Sequence, residues 1–161
     1  MGDRERFQRR HLTAGAIYGT IVYLTILVLL EEDRTAAVDA AAILVGTGFV
    51  FWLAHVYAHL VPIIAAEGRL RRGSFRRTAA EQAGILMAVA IPLIPLFLAM
   101  IGLIDDPAAL RGAVVACILA LAVIATWEAR SAGLAWSRSL GVSTVLLVAG
   151  IGLLWLEVAL H

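Results

Sequence analysis

Two histidines, His55 and His59, are the residues of this chain best placed to do chemistry. They lie four residues apart in FWLAHVYAHLVP, residues 51–62. Imidazole changes charge near neutral pH and binds transition metals through either ring nitrogen. At this spacing both rings fall on one face of a helix, together with Gly48, Trp52 and Pro62. Three kinds of chemistry suit the pattern. The pair can pass protons or gate a path. It can chelate a transition metal such as zinc from one helix, as the zincin motif does. Or each ring can be structural, bonded to a neighbouring Thr13, Tyr18, Thr20, Thr47, Tyr57 or Thr126.

The intervening residues narrow these readings. They are Val56, Tyr57 and Ala58, so the catalytic glutamate of a zincin is missing. Further metal ligands would have to come from His11, Glu81 or Glu128. Haem takes its axial ligands from opposite sides, which two rings on one helix face do not supply. Pro62 cannot bond to the carbonyl of Ala58, which lies between the histidines. That carbonyl is then open to an imidazole N–H, a water or a cation.

The element that must position the pair is a membrane helix. The chain has 161 residues, 61% hydrophobic and only 16% charged, with mean hydropathy +0.91. A soluble domain is nearer half apolar and a quarter charged. The charges are clustered, leaving apolar runs near the ~20 residues that cross a bilayer as helix. These runs are too continuous for the alternation of a membrane β-barrel. The pattern predicts a single all-α domain, a polytopic bundle of about five spans near 11–30, 38–66, 83–104, 112–127 and 140–160. The first run is too long for a signal peptide and ends in Glu31-Glu32-Asp33 without a cleavage pattern, so it reads as a retained helix.

The links alternate in charge. Arg4, Arg6, Arg9 and Arg10 precede the first span, and EGRLRRGSFRR follows the second. The acidic links EEDR and DDPAALR follow the first and third. The positive-inside rule then puts the N-terminus in the cytoplasm and the C-terminus outside, as an odd number of spans requires. With the second span centred near Phe51, His55 lies roughly 5 Å and His59 roughly 10 Å to the cytoplasmic side of the midplane. Ionisable groups at such depths face the bundle or a wet cavity rather than lipid. His11 and Glu128 come at the cytoplasmic ends of their own spans and are candidates to flank the mouth of a path.

Two other features bear on packing. Gly15 and Gly19 form a GxxxG, which lets helix backbones approach closely within or between subunits. Pro92 and Pro95 in the third span predict a kink, or a helix broken beside a site. Net charge is +1, which gives no polyelectrolyte signal for nucleic acid. The single Cys117 forms no internal disulfide. GxSxG, P-loop, GxGxxG and CxxC motifs are missing, and nothing suggests a nucleophile or an enzyme. All 13 basic residues are arginine, which with abundant Ala and Gly points to a GC-rich bacterial source.

AIYGTIVYLTIL in the first span, FWLAHVYAHL in the second and a C-terminal histidine resemble a group of small integral membrane proteins of actinobacteria. The resemblance covers much of the first two spans. It implies a bacterial plasma membrane and about five helices, and carries no activity with it. The expectation is a small oligomeric inner-membrane channel or transporter component in contact with lipid. His55 and His59 would line its path. The alternatives are a metal-binding or redox-associated membrane protein and a structural or accessory subunit.

Overall fold

The computed structural model describes residues 3–69 and 72–131, with side chains except at 3–12, 67, 72, 128–129 and 131. The fifth expected span, 140–160, lies outside the described residues. What is described is all helix: α1 (Asp3–Glu32), α2 (Ala37–Glu67), α3 (Arg72–Glu81), α4 (Ala83–Met100) and α5 (Asp106–Ser131). Four stretches are long and apolar enough to cross a membrane: Thr13–Glu32, Ala37–Ala66, Gly73–Met100 and Asp106–Trp127. Membrane-spanning length and apolar composition in four successive helices are the architecture of a multi-pass membrane protein.

α3 falls in the basic link and is polar. It is separated from α4 only by a turn at Gln82, where Gln82 N–H bonds to Thr78 at 3.0 Å and Ile85 N–H bonds back to Gln82 at 3.2 Å. The third span ends at Met100 rather than near 104. There Gly102, at φ 76°, closes a left-handed cap in which Leu103 N–H reaches the Leu98 carbonyl. The same cap ends α1. Thr35 N–H bonds to Leu30 and Arg34 N–H to Glu31, with Arg34 at φ 51° in the position glycine favours. α4 continues through Pro92 and Pro95, and α2 through Pro62. The prolines therefore shape packing without breaking either helix.

α4 is the central element, packed against α1, α2 and α5, while α5 also packs along α1. The core joins Tyr23, Leu27 and Leu44 to Ala88, Leu96, Leu110, Ala113 and Cys117. Small residues set the helix spacing. A Cβ on Gly19 would stand 3.1 Å from the Ile85 carbonyl and 3.2 Å from Ala88 Cβ, and one on Gly15 3.4 Å from the Ile85 nitrogen. The GxxxG is thus the seam between α1 and α4 within one protomer. The Pro95 ring fits over Gly112 of α5, where a Cβ would meet it at 3.3 Å. Outward faces are apolar: Met87, Ile94 and Phe97 on α4, and Val115, Leu119, Val123 and Trp127 on α5.

Candidate functional site

The face of α2 anticipated from spacing meets three neighbours in its first half and, among the described residues, none in its second. Gly48 is buried beneath the ring of Tyr23, whose hydroxyl a Cβ there would strike. Trp52 donates its indole N–H to the Ala79 carbonyl at 3.1 Å. Ala79 is in the last turn of α3, where carbonyls lack intrahelical partners, so the indole caps that helix end. His55 is half-buried, with its ring 5.0 Å from that of Tyr18 on α1. One turn on, His59 and Pro62 are exposed.

Both imidazoles are tied to their own helix. His55 Nδ1 lies 2.9 Å from the Phe51 carbonyl, and His59 Nδ1 lies 2.9 Å from the His55 carbonyl. A carbonyl only accepts, so each Nδ1 carries the proton and donates it. In the neutral ring each Nε2 then keeps a free lone pair. The carbonyl that Pro62 frees, that of Ala58, is not the one either imidazole uses.

The repeated bond also fixes the distance between the rings. Two side chains held alike and four residues apart are offset by about 6 Å along the axis, with a further 40° or so of rotation. Their Nε2 atoms are therefore at least about 6 Å apart. Two Zn–N bonds of about 2.1 Å span at most about 4.2 Å, so these two rings as held do not chelate one ion. One or two hydrogen-bonded waters do cover such a gap.

The other candidates fall in different places. Glu81 accepts from Arg77 Nε at 2.8 Å on the exposed side of α3. The side chains of His11 and Glu128 lie outside those described, as does His161. Among the described residues, no three His, Cys, Asp or Glu side chains converge. Gly15 and Gly19 are part of the α1–α4 seam.

One partner of the site, Tyr23, escaped the sequence reading, and Tyr18 entered it only as one of several possible bonding partners of the histidines. Tyr18 sits between His55 and Phe51, 6.2 Å from the latter ring in an edge contact. Tyr23 pins α1 to α4 beside Gly48. The only sequence signal for Tyr23 is its polar hydroxyl five residues after Tyr18 in a largely apolar run. Comparison of the chain with protein-family models, curated proteins and solved structures finds no match.

Proposed function

We propose that the protein is a subunit of a small channel or transporter in a bacterial plasma membrane. Copies of the chain assemble through the second half of the α2 face, and His55 and His59 relay protons along that seam. The observation that carries the reading is the exposure of His59 on the side of a spanning helix. An ionisable ring at that depth is costly against hydrocarbon, so its face calls for a partner or for water. The tautomer agrees with this use, since each Nε2 is left to take up a proton. The spacing agrees as well, being suited to a water-bridged relay. Among the described residues the helices enclose a packed core, which supports a path along the flank of α2 rather than through the bundle.

A second reading, a transition-metal site such as zinc, draws support from the Nδ1–H bonds to backbone carbonyls. Metal-bound histidines typically donate their other nitrogen in this way. It requires at least one ring to leave its carbonyl, and ligands from a second copy or from His11 and Glu128. The same proposal includes a fifth span at 140–160, a cytoplasmic N-terminus and an outer C-terminus, on the strength of the arginine distribution. It also includes a place among the small actinobacterial membrane proteins.

The test is proton flux into liposomes containing purified protein, between pH 5 and 8. Wild type should conduct with a pH dependence that His55→Phe/His59→Phe lacks. Equal flux in the two proteins, both folded, overturns the relay.

A further inference from the structure

Where the last turn of α1 meets the start of α5, the bundle opens into a cleft of about 360 Å³. Its walls carry Glu31, Arg34, Asp106 and Arg111, over an apolar floor of Pro107 and Leu110. The four charges cancel, and the one ion pair among them is the long, exposed contact of Arg111 with Glu31. Arg111 Nε donates to the Pro107 carbonyl at 3.2 Å and stands 3.7 Å from Glu31 Oε1, too far for a hydrogen bond. Among the described residues, neither the Arg34 guanidinium nor the Asp106 carboxylate has an ion-pair partner. Arg34 is held in place by the cap of α1, and Asp106 by the first turn of α5.

Depth decides what can reach this cleft. Glu32 is the last residue of one apolar span and Asp106 the first of another. The cleft is therefore at the level where hydrocarbon gives way to headgroups. A simple anion there would face two carboxylates, and a simple cation two guanidiniums. A ligand bearing both charges satisfies both pairs.

We propose that the cleft binds the phosphoethanolamine headgroup of an aminophospholipid. The phosphate is taken by Arg34 and Arg111, since a guanidinium matches phosphate oxygens with two parallel N–H bonds. The primary ammonium is taken by Asp106 and Glu31, to which it offers three donors. A choline headgroup has the same charges and no N–H to donate. A glycerol headgroup has no cation. The cleft should separate these three lipids.

Native mass spectrometry of the intact protein in detergent tests this. The protein is titrated with phosphatidylethanolamine, phosphatidylcholine and phosphatidylglycerol of identical acyl chains, and with soluble phosphoethanolamine. Phosphatidylethanolamine should bind at least about tenfold more tightly than the other two lipids, equivalent to about 1.4 kcal/mol. Displacement of the lipid by soluble phosphoethanolamine would identify a site for the headgroup alone. Failure to displace it would show that the acyl chains bind too, with the same headgroup selectivity. Arg34→Asn and Asp106→Asn should each bring phosphatidylethanolamine down to the phosphatidylcholine level. Asparagine tolerates the left-handed backbone of position 34, so that variant should keep its fold. Equal retention of the three lipids by wild type overturns the proposal. So does a preference that survives both substitutions in folded protein.

Discussion

The hydroxyl of Tyr23 on α1 donates to the carbonyl of Ile85 on α4 at 2.9 Å, in a fully buried position. The ring reaches that carbonyl because Gly48 of α2 has no side chain to block it. Three helices are thus fastened at one point. Without a hydrophobic driving force in lipid, such packing and interhelical hydrogen bonds hold the bundle together.

Tyr23→Phe should lower stability by about 1 kcal/mol, the usual worth of an interhelical hydrogen bond in a membrane. Gly48→Ala should cost more, about 1–3 kcal/mol, because its Cβ displaces the hydroxyl and over-fills the site. In a Tyr23→Phe background the alanine should cost less than in wild type, since the atom it strikes is gone. Unfolding in mixed detergent, measured for both single variants and the double, gives the coupling.

The two glycines of the α1–α4 seam should respond differently. A Cβ on Gly19 presses on the backbone of Ile85, which cannot move aside, so Gly19→Ala should destabilise by about 1–2 kcal/mol. Gly15→Ala meets nothing closer than 3.4 Å. It should be neutral or stabilising by up to about 1 kcal/mol from helix propensity. Both variants should keep the oligomeric state of wild type on light scattering in detergent, because the seam lies within a protomer.

Arg34 holds a left-handed backbone that costs an L-residue about 1–2 kcal/mol. Arg34→Gly should therefore stabilise the fold by about 0.5–1 kcal/mol after the glycine's own entropy is counted. Gly102→Ala, at the equivalent position after α4, should destabilise by about 1 kcal/mol. Thermal melting of the two variants in one detergent checks both signs.

The helices were legible in the sequence because each is a long apolar run bounded by charge, and a helix in lipid needs little else. α3 was not legible: Arg72–Glu81 is polar and includes Gly73, and its helical state depends on the turn into α4 and on Trp52 capping it. The clustering of Gly48, Trp52 and His55 on one face followed from spacing. The exposure of His59 did not, since it depends on where α1 and α3 stop covering α2. Tyr23 and Ile85 are 62 residues apart, and no local pattern connects them. The cleft between α1 and α5 was hidden for a different reason, because its four charges read equally well as ordinary rim residues of two separate links.

A relay in series makes a demand that a merely structural histidine pair does not. If protons pass from one ring to the other, His55→Phe and His59→Phe should each abolish flux as fully as the double substitution. The decisive measurement is the rate of proton entry into liposomes at matched protein density for these three variants and wild type. The relay predicts one common low rate for all three. Partial, additive losses, or a single variant that conducts like wild type, would contradict it.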